Sequence, residues 1–153
     1  MSTLFFKGMP TAIADQARAT KTDAHGHALH VQDDQAAPCR HCLRITKRGE
    51  PVLLLSYNPF GADHGPYSEV GPVFVHADSC PAYTQTGVLP SDFRERELVM
   101  RAYNRDHAIE DSVISKPGEG EDIARRLFEN ENVAYIHVRH TTYGCFDFVI
   151  ERG

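Results

Sequence analysis

The stretch AYIHVRHTTYGCFDFVI, residues 134–150, is the most informative part of the sequence about the fold. Two runs within it alternate between apolar and polar residues. Strict alternation is typical of β-strands with one buried face, and the residues 141–143 between the runs form a turn. The stretch therefore predicts a C-terminal β-hairpin. If both apolar sets face one core, a slip of one residue would turn one set outward. The expected core set comprises Ala134, Ile136, Val138, Phe146, Phe148 and Ile150.

The opposite face of this predicted hairpin carries residues that could bind an anion, transfer a proton or act as a nucleophile. The expected register places Arg139 opposite Cys145 and His137 opposite Asp147. Arg139 is suited to carboxylate or phosphate groups, and His137 is a candidate acid or base oriented by Asp147. Cys145 would become a nucleophile if Arg139 lowered its pKa. These four residues are candidate catalytic residues, and the simpler interpretation is that their charges pair on a solvated sheet face.

The segments before the hairpin predict further strands and two main helices. One helix begins near Pro10, and the clearest helix covers 120–130, where apolar residues share one face. Because no βαβ alternation repeats, we expect a single α+β domain over residues 1–153 with a mainly antiparallel sheet. Segments rich in polar residues, glycine and proline predict loops at 20–38 and 58–71. The predicted strands lie at 4–6, 52–57, 72–76, 98–103 and 109–114.

The composition is that of a globular protein. The chain has 153 residues, of which 41% are hydrophobic and 24% charged, and this suffices for one core. A net charge of −5 gives no general attraction to nucleic acid or to anionic membranes. We find no membrane-spanning apolar run and no pattern of a secretory signal. We therefore expect a cytoplasmic protein whose four cysteines stay reduced or bind metal.

The strongest chemical pattern is Cys39-x-x-Cys42 followed by His76-x-x-x-Cys80. Three thiolates and one imidazole form a common ligand set for a structural zinc ion. The predicted strands at 52–57 and 72–76 lie between the two pairs and would carry them to one end of the sheet. The sequence therefore predicts a zinc site at Cys39, Cys42, Cys80 and His76, with Cys145 as the alternative fourth ligand.

Two other interpretations of the cysteine pair stay open, a redox dithiol and unliganded thiols. A thioredoxin-like pair follows a strand and opens a helix, whereas here a polar loop precedes Cys39 and no helical pattern follows Cys42. A basic cluster surrounds the pair and would contact phosphate, although such runs are usually solvated. That cluster comprises Arg40, Arg44, Lys47 and Arg48.

The layout resembles treble-clef and PARP-type zinc fingers over about 40 residues, counted from Cys39 to Cys80. Those fingers have a Cys-x-x-Cys pair, an Ile before a Gly-Glu-like turn, a strand, a loop and a terminal His-x-x-Cys. Ile45, Gly49-Glu50, His76 and Cys80 stand in the matching places. This chain has one extra residue between His76 and Cys80. Because of this residue, His76 matches its ligand position in the fingers less closely than Cys80 does.

A second resemblance covers most of the chain from Pro38 onward. The stretches PCRHCL (38–43), YNPF (57–60), PYSEVGPVFVH (66–76) and AYIHVR (134–139), with Cys80 and Cys145, resemble the bacterial family DUF1203. The name means a domain of unknown function. The resemblance therefore implies a bacterial protein and implies no activity, cofactor or catalytic residue.

Two classes of function follow from these observations. The first is a small binding or interaction module with a structural zinc ion, whose partner is a small molecule or a protein rather than nucleic acid or membrane. The alternatives are a small enzyme that uses Arg139, His137, Asp147 and Cys145, or a thiol redox protein. We find no nucleotide-binding glycine motif and no common hydrolase motif. The sequence therefore disfavours nucleotide hydrolysis and common hydrolase chemistry.

Overall fold

The regular structure of residues 2–153, described by a computed structural model, consists of eight β-strands, two α-helices and one short 3₁₀ helix. Met1, the first residue of the predicted domain, lies outside the described residues. Helix α1 spans Thr11–Thr20, α2 spans Gly120–Leu127, and the 3₁₀ helix spans Ser91–Phe93. The strands are β1 (Leu4–Lys7), β2 (Val31–Gln32), β3 (Val52–Tyr57), β4 (Gly71–His76), β5 (Leu98–Tyr103), β6 (Ile109–Ser115), β7 (Tyr135–His140) and β8 (Phe146–Arg152).

The strands form two antiparallel sheets. The large sheet has the order β1-β8-β7-β5-β6, and the small sheet has the order β2-β3-β4. Strands β7 and β8 pair as a hairpin. The α+β class, the mainly antiparallel sheets, the two helices and the C-terminal hairpin are therefore confirmed. Neither helix within residues 2–153 is long and apolar enough to cross a membrane.

One face of the large sheet is covered by α2. This helix buries Ile123, Ala124 and Leu127 against the sheet, and acidic residues in its first turn suit the helix dipole. The helix ends three residues before the predicted position 130. Beyond its end, the Arg152 side chain donates to the backbone carbonyl oxygens of Glu131 and Val133 at 3.1 and 2.9 Å.

The other face of the large sheet packs against the small sheet and α1. Inward residues of β3 and β4 meet two alanines of α1, and small side chains there let the helix approach closely. This second core encloses the first cysteine of the Cys-x-x-Cys pair. Its buried members are Met9, Ala14, Ala17, Leu29, Cys39, Leu53, Leu55, Val73, Val75 and Phe146.

The predicted register of the hairpin is wrong. His137 pairs with Val149, and Arg139 pairs with Phe146, because a β-bulge makes Asp147 an extra residue in β8. The bulge turns Phe146 away from the core between α2 and the large sheet and into the second core. The predicted solvated face is wrong as well, since His137 and Arg139 are buried beneath the small sheet and its loops.

The predicted loop 20–38 contains more order than expected. It supplies the short strand β2 and an isolated bridge between Thr22 and Ala28. The Asp23 carboxylate accepts backbone N–H groups of Ser56, His25 and His27 at 2.9–3.0 Å. Burial alone would raise the pKa of Asp23, but the hydrogen bonds, first from Ser56 and His27, hold it well below its ordinary value.

Candidate functional site

Four side chains that are far apart in sequence converge at one end of the small sheet. One ligand atom from each of Cys39, Cys42, His76 and Cys80 lies within 4.8 Å of all the others, and we call this group the Cys3His cluster. The Sγ atoms of Cys39 and Cys80 are 3.8 Å apart, and Sγ of Cys42 lies 3.5 Å from Nδ1 of His76. Zinc–sulfur bonds of about 2.3 Å at tetrahedral angles give sulfur–sulfur separations of about 3.8 Å. The cluster is therefore positioned to hold one metal ion.

Local backbone structure presents the first cysteine pair. The N–H of Leu43 donates to the carbonyl of Cys39 at 2.9 Å, and Leu43 has a φ of 59°, which closes a tight turn around the pair. An isolated bridge between Cys39 and Phe74 fixes this turn against β4. The turn therefore needs no helix to hold the two thiols side by side.

The second ligand pair comes from the end of β4. His76 is the last residue of the strand, opposite Val52, and its backbone N–H donates to Sγ of Cys39 at 3.3 Å. Cys80 follows four residues later and completes the cluster. The two strands therefore bring both pairs to one end, as the sequence predicted. The alternative fourth ligand, Cys145, is not among the four clustered residues.

The imidazole of His76 is oriented by groups outside the cluster. Its Nε2 atom lies 3.2 Å from a guanidinium nitrogen of Arg44 and 3.7 Å from a carboxylate oxygen of Glu50. The Glu50 carboxylate accepts the backbone N–H of Lys47 at 2.8 Å and also pairs with Arg44. These two contacts lower the pKa of Glu50. Arg44 is the closer of the two groups, and Glu50 in turn holds the Arg44 guanidinium, so both lie on the Nε2 side and leave Nδ1 facing the cluster.

Cys80 is held by two residues that the sequence analysis missed. A guanidinium nitrogen of Arg18, on α1, lies 3.1 Å from Sγ of Cys80, and Nδ1 of His41 lies 3.1 Å from the same sulfur. Arg18 also donates to the carbonyl of His76 at 3.0 Å. The position of His41 inside the Cys-x-x-Cys pair was a usable signal, whereas no pattern in the sequence points to Arg18.

The thiols of the cluster differ in their affinity for protons. The pKa of Cys39 is lowered to about 4, chiefly because the Cys42 thiol donates a hydrogen bond to it, and this outweighs the opposing effect of burial. The pKa of Cys42 is raised for the same reason, and burial raises that of Cys80. Since a thiolate is the form that binds metal, Cys39 is prepared for coordination.

Arg40, between the two cysteines, is buried and ties the cluster to the hairpin. Its guanidinium donates to the carbonyls of Phe146 at 2.8 Å and Pro38 at 2.7 Å. A further nitrogen lies 3.5 Å from a carboxylate oxygen of Asp147, which is also buried. Burial lowers the pKa of Arg40, and the charge of Asp147 opposes this. The prediction of a solvated basic cluster is therefore wrong for Arg40.

The region from residue 36 to 152 matches the family model described as "Protein of unknown function (DUF1203)". The chain belongs to the DUF1203 family. The matched region contains the whole Cys3His cluster and the C-terminal hairpin, so the resemblance noted in the sequence is confirmed. No curated protein and no solved structure matches the chain.

In this DUF1203 protein the four candidate catalytic residues lie in two different surroundings. His137 lies among aromatic rings, 4.7 Å from Phe60 and 5.0 Å from Tyr103 between ring centroids. Burial, with the charge of Arg139, lowers the pKa of His137 to about 3, so the imidazole is neutral at neutral pH. The predicted pairing of His137 with Asp147 is wrong, because Asp147 contacts Nδ1 of His140 at 2.7 Å instead.

Arg139 and Cys145 of the DUF1203 chain line a common cleft, although they are not opposite each other in the hairpin. The cleft has a volume of about 250 Å³. Arg139 forms an ion pair with Glu69 and donates to the carbonyl of Gly144 at 3.0 Å. The loop after β3 carries Glu69 to the cleft.

Proposed function

We propose that this protein is a small binding or interaction module whose fold is held by a structural zinc ion at Cys39, Cys42, His76 and Cys80. The observation that carries the proposal is the spacing of the ligand atoms, with 3.8 Å between two sulfurs and 3.5 Å between a sulfur and an imidazole nitrogen. Both separations match the edges of a tetrahedron around zinc. Thiolate and imidazole ligands favour zinc over magnesium or calcium, which prefer oxygen.

A structural role fits this site better than a catalytic one. Three cysteines and one histidine fill the coordination of zinc, whereas catalytic sites keep a position for water or substrate. Cys39 is fully enclosed by the second core, and Arg18 and His41 cover Cys80. The ion would join the Cys-x-x-Cys turn to the end of β4, and through Arg18 to α1.

The redox alternative has less support from the geometry. A redox pair of the thioredoxin type lies at the start of a helix, whereas the turn after Cys42 continues through Leu43 at positive φ. The low pKa of Cys39 fits either role. The nearby sulfur of Cys80 and the oriented imidazole of His76 are additional metal ligands that a dithiol would not need.

The partner of the proposed module is a small molecule or a protein. The net charge of −5 disfavours nucleic acid, and two residues of the basic cluster, Arg40 and Arg44, form contacts within the protein with Asp147 and Glu50. The proposed location is the bacterial cytoplasm, where thiols remain reduced and available to zinc.

Cobalt substitution tests both the ligand set and the closed coordination. The protein is reduced, freed of metal and titrated with Co²⁺, and the visible absorption of tetrahedral thiolate coordination is recorded. We expect one Co²⁺ per chain, a spectrum unchanged by azide, loss of that spectrum in Cys42→Ser and retention in Cys145→Ser. A spectrum that changes with azide would contradict a closed site, and absence of thiolate coordination would contradict the metal site itself.

A further inference from the structure

We propose that the cleft beside Arg139 binds a small organic carboxylate, which Arg139 and Arg101 hold after it displaces the carboxylate of Glu69. The cleft is lined by residues of β3, β4, the hairpin and the loop that carries Glu69, and none of the Cys3His cluster lines it. The inference goes beyond the structural zinc ion and does not depend on it.

Two guanidinium groups share one carboxylate oxygen at this cleft. Arg139 lies on β7 and Arg101 on the neighbouring β5, where Arg101 is opposite His137, so both side chains are on one face of the large sheet. Nη1 of Arg101 lies 3.1 Å from Oε1 of Glu69, and Nη2 of Arg139 contacts the same oxygen. Glu69 thus marks a position where a carboxylate binds both arginines, and the three groups together keep one excess positive charge.

Arg139 is fixed in place for such a role. Only 8% of its side chain is exposed, and Nη1 donates to the carbonyl of Gly144 at 3.0 Å. The Nε atom is enclosed and has no hydrogen-bond partner within residues 2–153. A buried charged donor without an acceptor is unfavourable, so the Nε–H group can still donate a hydrogen bond to one oxygen of a ligand.

The residue beneath the arginines, His137, adds no charge of its own. His137 is buried among aromatic rings, and burial together with the charges of Arg139 and Arg101 keeps its imidazole neutral by lowering its pKa to about 3. His137 therefore leaves unchanged the excess of one positive charge that Arg101, Arg139 and Glu69 carry together.

The walls of the cleft favour an organic anion. Tyr57, Val73 and Phe146 provide apolar and aromatic surface beside the polar end formed by Arg139 and Glu69. The volume of about 250 Å³ equals that of roughly eight water molecules at about 30 Å³ each, which suits a short aliphatic or single-ring acid. Inorganic phosphate would leave the apolar wall without a partner.

Glu69 is suited to leave when a ligand enters. It lies on the loop between β3 and β4, and 48% of its side chain is exposed, in contrast to the buried Arg139. Water would solvate the released Glu69 carboxylate, and the ligand carboxylate would take over its ion pairs with Arg139 and Arg101. Exchange of Glu69 for a ligand carboxylate would therefore cost little, and Glu69 would act as an internal competitor.

Because Glu69 and the ligand would compete for the two arginines, removing the charge of Glu69 should strengthen ligand binding. The Nε–Hε resonance of Arg139 is followed by NMR during titrations with benzoate, butyrate and inorganic phosphate. We expect Glu69→Gln to bind benzoate about tenfold more tightly than the wild type. Arg139→Lys, which keeps the charge but loses the planar fork, should weaken binding by at least about tenfold, measured by the other shifted resonances. Glu151→Gln, which removes an exposed ion pair with Lys7, should leave the affinity unchanged.

Thermal unfolding of each variant establishes that it is folded, so that a loss of binding in Arg139→Lys is interpretable. If that variant unfolds, Arg101→Lys replaces it, with the same expected direction. Absence of saturable benzoate and butyrate binding by Glu69→Gln would overturn the proposal. Tighter binding of phosphate than of either carboxylate, or unchanged binding after the arginine substitution, would overturn it as well.

Discussion

Nδ1 of His76 lies 3.5 Å from Sγ of Cys42, although 34 residues separate them in the chain. The strand pair β3 and β4 bridges this separation, and Glu50 with Arg44 sets the orientation of the imidazole. The extra residue between His76 and Cys80, compared with zinc fingers of similar layout, does not remove the histidine from the cluster. The geometry therefore supports a metal ligand set whose fourth member is His76 rather than Cys145.

Replacing a buried ligand should destabilise the whole domain. We expect Cys39→Ala to lower the free energy of unfolding by at least about 3 kcal/mol in the presence of zinc, because the free energy of metal binding contributes to folding. Denaturant unfolding of the reduced protein measures this. Cys145→Ala is the matched control and should change stability by no more than about 0.5 kcal/mol. Equal losses in both variants would argue against a metal role for Cys39.

The carboxylate behind His76 should tune the affinity for the ion without binding it. Glu50→Gln removes the charge near Nε2 of His76 and should weaken zinc binding by about 10- to 100-fold, as is usual for groups that orient a ligand. Competition with a chromophoric chelator measures the affinity. Glu97→Gln alters an exposed carboxylate that is not a member of the cluster and should have no effect. An unchanged affinity in Glu50→Gln would show that the imidazole is oriented by other groups.

The buried pair between Arg40 and Asp147 should be costly to break from one side. Asp147→Asn leaves the guanidinium of Arg40 without a countercharge in the interior, and we expect a loss of about 3–5 kcal/mol in unfolding free energy. Asp122→Asn serves as the control, because 91% of that side chain is exposed. The double variant Arg40→Met, Asp147→Asn should lose less than the sum of the single variants. Additive losses would indicate that the two groups do not interact.

Stability should fall in acid partly through Asp23. Its pKa is below the ordinary value of 3.8 in the folded state, so the unfolded chain takes up the proton first as the pH falls. Its contribution is therefore complete above about pH 5 and is lost as the pH falls through and below about 4. Asp23→Asn should be less stable than the wild type at pH 7, and the difference should shrink towards pH 3. A difference that grows in acid would contradict this assignment.

Local patterns were sufficient for the elements that are apolar and clearly bounded. The strands 52–57 and 98–103 have the predicted ends, because each run has one face in a core and is flanked by residues that stop a strand. The Cys3His cluster was predictable as well, since the spacing of its two pairs and the strands between them limit where the ligands meet.

The register of the hairpin could not be predicted from the sequence, because the bulge leaves no trace in the apolar pattern. Phe146, Phe148 and Ile150 alternate as they would in a regular strand, and that pattern contains no sign of a bulge at Asp147. The bulge places Asp147 beside Arg40, which lies more than 100 residues earlier in the chain. Arg18 was missed for a similar reason, because only tertiary packing brings it to Cys80.

The most direct test of the central claim is the metal content of protein purified under reducing conditions without added metal, measured by native mass spectrometry and elemental analysis together. The account predicts one zinc ion per chain, released with loss of folded structure when a strong chelator is added. It also predicts that His76→Ala retains less zinc than His140→Ala, since His140 contacts Asp147 outside the cluster. A folded chain without bound metal, or one with a disulfide between Cys39 and Cys42, would contradict it.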